Sequence, residues 1–224
     1  MTQKINFKNA DFPIKFPNKG EPQYLMVILH GYGSDGNDLI GLSNIFQQAL
    51  PQAVCLAPNA PTSTGFGGYQ WFPITDLSNR ELETGTISIA PYLHNFIDQA
   101  LEFYKVKPEN LIIAGFSQGA MIALHVGMER KIAPKAVLAY SGALTAVADI
   151  ETRIQSKPPI LLCHGGDDEV VKPSYTIQAF DTLTKLGFTV EKHIIQGYPH
   201  TIPPEGLKAS LRFLDAQVKA ITNT

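Results

Sequence analysis

Two cysteines, a single tryptophan and no surplus of either charge leave this 224-residue chain with few specialised devices. Cys55 and Cys163 both sit inside apolar runs, so they read as buried thiols on two strands rather than as a disulfide or a metal pair. With 18 basic and 20 acidic residues the formal net charge is -2, which gives no electrostatic basis for binding nucleic acid or an anionic membrane surface. The apolar runs are short: Tyr24 to Leu29, one of the longer ones, is strand-sized and far from a membrane span. The segment Met1-Thr2-Gln3-Lys4-Ile5-Asn6 lacks the apolar stretch of a secretory signal. Internal repeats, low-complexity tracts and linkers are missing too. These absences create the expectation of a soluble, cytoplasmic protein, folded as a single domain over residues 1–224, with no nucleic-acid partner and no stable membrane insertion.

What is present is a regular alternation. Hydrophobic residues make up 44% of the chain, enough for a full α/β core. Strand-like runs fall at Tyr24 to Leu29, Ala53 to Ala57, Leu111 to Gly115, Ala136 to Tyr140, Ile160 to Cys163 and Thr189 to Ile195. Between them Ile89, Tyr92, Leu93, Phe96, Ile97, Ala100, Leu101 and Tyr104 recur at helical spacing, as do Tyr175, Ala179, Phe180, Leu183 and Leu186. Near the end Leu207, Leu211, Leu214, Val218 and Ile221 share one helical face. Strands alternating with helices predict an α/β fold with a mostly parallel sheet and helices on both faces. One stretch breaks the pattern. Pro58 to Thr86 is rich in Gly and Pro and holds Phe66, Tyr69, Trp71 and Phe72, so those rings are expected to help line a substrate pocket.

The chemistry lies at Gly115-Phe116-Ser117-Gln118-Gly119, directly after Leu111-Ile112-Ile113-Ala114. A strand that runs into Gly-x-Ser-x-Gly and then a helix exposes its serine on a sharp bend, where glycines relieve crowding and the helix N-terminus favours developing negative charge. A serine nucleophile needs a base, and the base an orienting carboxylate. His125 would be carried away by the helix that starts at the serine, His164 precedes the candidate acids, and His193 lies within a strand. His200 follows the last strand, in Gln196-Gly197-Tyr198-Pro199-His200-Thr201, and is the expected base. Spacing leaves the acid open among Asp167, Asp168 and Glu169, which follow the strand ending at His164. One oxyanion donor is expected from the Gln118 N–H. The other is expected from Tyr32 in Leu29-His30-Gly31-Tyr32-Gly33.

With these elements in order, the chain resembles the phospholipase/carboxylesterase family of α/β-hydrolases, which includes acyl-protein thioesterases and bacterial carboxylesterases. The resemblance spans roughly Glu21 to Leu214. Its most specific marks are Leu29 to Gly36, Gly115 to Gly119 and His164-Gly165-Gly166-Asp167-Asp168-Glu169-Val170-Val171. In that family the acid is the Asp preceding x-Val-Val, which implies Asp168. Ala120 and Pro199 depart from residues common in the family, where glycine is usual, without removing a reacting group. The resemblance implies an α/β-hydrolase fold and a cofactor-free, metal-free serine hydrolase acting on small-molecule or lipid-like acyl esters through an acyl-enzyme. The segment between Tyr140 and Ile160 is too short for a large cap domain, so short to medium acyl chains are expected. Long-chain thioester or lysophospholipid cleavage is the alternative. A non-catalytic binding protein on the same fold, or a peptidase, are the competing classes. The family also contains homodimers, but no interface is identifiable in this sequence.

Overall fold

The computed structural model describes residues 4–219. Ile221, expected on the last helical face, and the first three residues of the chain lie outside these. The strands are β1 (Ile14–Lys15), β2 (Tyr24–Leu29), β3 (Ala53–Leu56), β4 (Thr62–Ser63), β5 (Tyr69–Gln70), β6 (Leu111–Phe116), β7 (Ala136–Tyr140), β8 (Ile160–Gly165) and β9 (Val190–Ile195). The helices are α1 (Gly36–Ile40), α2 (Ser43–Ala49), α3 (Asn79–Tyr104), α4 (Gln118–Glu129), α5 (Ile150–Arg153), α6 (Ser174–Lys185) and α7 (Pro204–Lys219).

Among the described residues, seven strands form one sheet in the order β1-β3-β2-β6-β7-β8-β9. β3, β2, β6, β7, β8 and β9 run parallel, and only β1 pairs antiparallel, against β3. The central strands are buried on both faces, which explains their nearly unbroken apolar sequences. Side chains alternate between the faces along each strand. Leu25, Val27 and Leu29 of β2, Leu111 and Ile113 of β6 and Ile160 and Leu162 of β8 meet one apolar layer, which also holds residues of α3, α4 and α6. Met26, Ile28, Ile112, Ala114, Leu161 and Cys163 face the other layer, where Phe46 of α2 and Phe213 and Leu214 of α7 cover them. Parallel pairing brings the ends of β2, β6, β8 and β9 to one edge of the sheet, where the connecting loops meet.

Two details differ from expectation. The long loop ends at Ser78, because α3 begins ten residues before the apolar stripe that announced it. The Ser78 side chain accepts the Glu81 N–H at 3.3 Å, and the Glu81 carboxylate folds back onto the Thr75, Asp76 and Leu77 N–H groups at 2.7, 3.1 and 3.0 Å. This is a capping arrangement that starts a helix despite Gly85 and Pro91 further along. The remaining loop folds into the small antiparallel pair of β4 and β5. Between Tyr140 and Ile160 lies only the short α5, and no cap domain is built there.

Candidate active site

Ser117 sits between β6 and α4 with φ 54° and ψ -117°, a conformation that costs a non-glycine residue strain and lifts its side chain off the sheet edge. Its N–H donates to Tyr140 O of the neighbouring strand at 2.9 Å, which fixes the turn. The flanking glycines are set by close approach. A Cβ on Gly115 would lie 2.2 Å from Gly119 O, and one on Gly119 would lie 2.2 Å from Leu29 O. α4 can therefore start directly against β2 and β6 only because neither position has a side chain.

The loop after β9 brings His200 to this serine. Its Nε2 lies 3.0 Å from Ser117 Oγ, and its Nδ1–H donates to Asp168 Oδ2 at 2.6 Å. The Phe116 ring packs on the imidazole with centroids 4.8 Å apart. The loop is tied down by the Asp167 N–H to Tyr198 O at 2.9 Å and by the Ser141 hydroxyl to Thr201 O at 3.1 Å. Of the three acidic residues after β8, Asp168 alone is turned inward. Its Oδ1 accepts the N–H groups of Val170 and Val171, both at 2.9 Å, while Asp167 and Glu169 are exposed. Burial alone would push the Asp168 carboxyl up, but the His200 hydrogen bond and the Val171 and Val170 N–H groups outweigh it and hold it below the usual carboxylate range.

The loop after β2 lies beside the serine: a Cβ on Gly31 would come within 3.3 Å of Ser117 Cβ. Tyr32 follows it, with its ring half exposed. Gln118, the first residue of α4, has a backbone N–H with no carbonyl in a preceding helical turn to bond, so it is free to face an anion. Its side chain is buried and has a role that no local pattern announces. Gln118 Oε1 accepts the Trp71 N–H at 3.0 Å and Nε2 donates to Phe72 O at 2.8 Å, so one amide group satisfies two backbone groups of the bend after β5.

Trp71 carries the linkage on to the loop after β2. Its indole N–H donates to His30 O at 2.9 Å and its ring lies 5.1 Å from the His30 ring. Buried His30 donates from Nδ1 to Gly31 O at 2.7 Å and accepts the Ala60 N–H on Nε2 at 3.0 Å. β5 completes the tie, with the Gly33 N–H to Tyr69 O at 2.9 Å and the Tyr69 N–H to Ser34 O at 2.7 Å. The loops holding Tyr32 and Gln118 are thus joined through one buried hydrogen-bonded group.

The four rings of this loop, expected to help line a substrate pocket, have different places. Trp71 and Phe72 are 2% exposed and belong to the core layer under α3 and α4, because the indole N–H and the Gln118 amide draw them inward. Phe66 stands fully exposed at the tip of the β4–β5 turn, held away from the body by glycines of positive φ at 65, 67 and 68. Tyr69 does line a cleft, of about 720 Å³, but its other walls are the N-terminal segment, Pro58 to Pro61 and α3, and Ser117 is not among them.

The other histidines have separate places. His125 and His94 flank Glu129, each 3.1 Å away, and His193 lies beside Glu191. His164 was set aside as a base on chain order, yet its Nε2 lies 3.1 Å from Asp168 Oδ2. Among the described residues there is no group of three or more His, Cys, Asp or Glu able to hold a metal ion. No helix among them is long and apolar enough to cross a membrane.

This arrangement at the edge of a parallel sheet has relatives. The family model described as Phospholipase/Carboxylesterase matches residues 12–218. The chain belongs to the phospholipase/carboxylesterase family. A crystal structure of esterase PE8 superimposes with a TM-score of 0.87 at 38% identity, covering 91% of this chain and 96% of that one. Acyl-protein thioesterase 1 homolog 1 of Dictyostelium discoideum is 27% identical over 201 residues, covering 84% of this chain and 88% of the relative. Esterase YpfH of Escherichia coli K12 is 24% identical over 212 residues, covering 92% and 88%. The protein is thus a hydrolase of the carboxylesterase and thioesterase kind, with the α/β-hydrolase sheet of its family.

Proposed function

We propose that the protein hydrolyses carboxylic esters of short to medium acyl chains through an acyl-enzyme on Ser117. The observation that carries this reading is the chain of contacts from Ser117 Oγ to His200 Nε2 at 3.0 Å and from His200 Nδ1 to Asp168 Oδ2 at 2.6 Å. His200 takes the serine proton as Oγ attacks the acyl carbon, and the charged Asp168 holds the imidazole and stabilises its cation. The Tyr32 and Gln118 N–H groups receive the oxyanion, each such donor being worth about 10²–10³ in rate. His200 then gives its proton to the leaving alcohol, and afterwards activates the water that releases the acid.

Two features favour the shorter acyl chains. The connection from β7 to β8 holds only α5, and Trp71 and Phe72 are committed to the core instead of forming an apolar channel. The names of the thioesterase relatives favour thioesters as a second substrate class on the same machinery. The test is hydrolysis of p-nitrophenyl esters from acetyl to palmitoyl, with Ser117→Ala alongside. A rate that peaks at short or medium chains and falls by at least about 10³-fold in the folded variant is expected. Activity retained by a pure, folded Ser117→Ala sample overturns the mechanism, and a rate rising toward palmitoyl overturns the chain-length assignment.

A further inference from the structure

We propose that Thr176 and His164 extend the Ser117–His200–Asp168 chain into the core: the Thr176 hydroxyl and the Val171 carbonyl hold the His164 ring in one orientation, and His164 is a positioning residue for Asp168. This rests on the catalytic reading of Ser117, His200 and Asp168 given above.

The argument begins with His164, whose side chain in β8 is fully buried. Its Nε2 is 2.7 Å from Val171 O, and a carbonyl can only accept, so Nε2 carries the hydrogen. Its Nδ1 is 2.7 Å from the buried Thr176 hydroxyl of α6. Burial holds the imidazole pKa below its ordinary value, so the ring is neutral and Nδ1 accepts the Thr176 hydrogen. The Val171 carbonyl therefore selects the Nε2–H form, and the Thr176 hydroxyl, which can donate or accept, anchors the other edge of the ring.

The same N–H edge faces Asp168 Oδ2 at 3.1 Å, the oxygen that also accepts His200 Nδ1–H. Asp168 is thus held by two backbone N–H groups on Oδ1 and faces an imidazole N–H from each side on Oδ2. The opposite tautomer would set a bare Nε2 lone pair against both Val171 O and Oδ2, and the carboxylate would turn from its alignment with His200. The other titratable groups near this carboxylate are few. His200 faces it from the loop after β9, the buried Cys163 thiol precedes His164 in β8, and Asp167 and Glu169 flank it with exposed side chains.

Thr176→Val removes the hydroxyl at nearly constant shape, far from the substrate. For p-nitrophenyl butyrate we expect kcat to fall about tenfold with KM changed less than about twofold. The acid limb of the kcat/KM profile moves to higher pH, because a carboxylate that loses a facing N–H presents more negative charge to the imidazolium form of His200 and favours it. Thr176→Ser restores both values. In a His164→Gln background, where there is no imidazole for the hydroxyl to hold, Thr176→Val causes no further loss of kcat. A folded Thr176→Val enzyme with unaltered kcat and pH profile overturns the proposal, and so does an equal loss in the His164→Gln background. Should Thr176→Val fail to fold, the 15N shifts of the His164 ring in the unmutated protein decide: a protonated Nε2 and bare Nδ1 are expected, and the reverse refutes it. Failure of the catalytic reading itself would show separately, as activity surviving Ser117→Ala.

Discussion

Replacing the Gln118 side chain tests whether one buried amide holds the start of α4 to the loop after β2, the two segments proposed to supply the oxyanion donors. Gln118→Ala removes the bonds to Trp71 N–H and Phe72 O while leaving the Gln118 backbone N–H in place. Both partners belong to residues only 2% exposed, so each is stranded away from water. A buried polar group without a partner costs about 1–3 kcal/mol, which makes the pair worth about 2–6 kcal/mol. Domains of ordinary stability have about 5–15 kcal/mol in total. For a chain of this length each kcal/mol moves Tm by about 2–4 °C, so a fall of about 4–24 °C is expected by calorimetry. Gln118→Met separates the bonds from the space, since it keeps most of the volume and none of the polar atoms. Both variants should also lose about 10- to 100-fold in kcat, because the loops carrying the Tyr32 and Gln118 N–H groups are no longer held in register. A Met variant that melts within about 1 °C of the parent with full kcat would show that the amide holds nothing.

Two further outcomes follow from groups away from Ser117. Burial pushes the Cys55 and Cys163 thiols up to about 12, so neither should react with a thiol-specific disulfide reagent at pH 8 in the native protein, and both should react in denaturant. Glu129 is opposed by burial, yet the imidazoles of His125 and His94 hold its carboxyl well below the usual range. A depressed carboxyl contributes stability above its unfolded pKa and loses it as pH falls through the folded one. The stability advantage over Glu129→Gln, measured by urea unfolding, should be full at about pH 5 and shrink steadily below about pH 4. An advantage that grew on acidification would contradict that assignment.

The legibility of this chain follows burial. Tyr24–Leu29 and Ala136–Tyr140 are read correctly to the residue because strands covered on both faces must be apolar along their whole length. α3 is read from Ile89 onward only, since Gly85 and Pro91 mask its first turns, although Ser78 and Glu81 carried a capping signal that could have placed its start. Spacing could not choose among Asp167, Asp168 and Glu169, because the choice is made by the turn that gives the Val170 and Val171 N–H groups to one of them. The contact of His164 with that same carboxylate depends on the chain folding back over the end of β8, which no local pattern announces. Aromatic content in a loop is ambiguous for a different reason: a ring can serve a ligand or the core. Trp71 went to the core because its N–H found His30 O there.

The strand order has a consequence for how the protein wears out. Ser117 follows β6, flanked by β2 and β7 and sealed by α4, whereas His200 hangs from β9, an edge strand of the sheet in which no residue is fully buried. Local opening is cheapest where the least apolar surface is buried. Under stress the rim loosens first, and His200 leaves Ser117 while the serine is still seated. Damage of that kind leaves most of the core assembled, ready to re-form the missing edge once the stress is lifted.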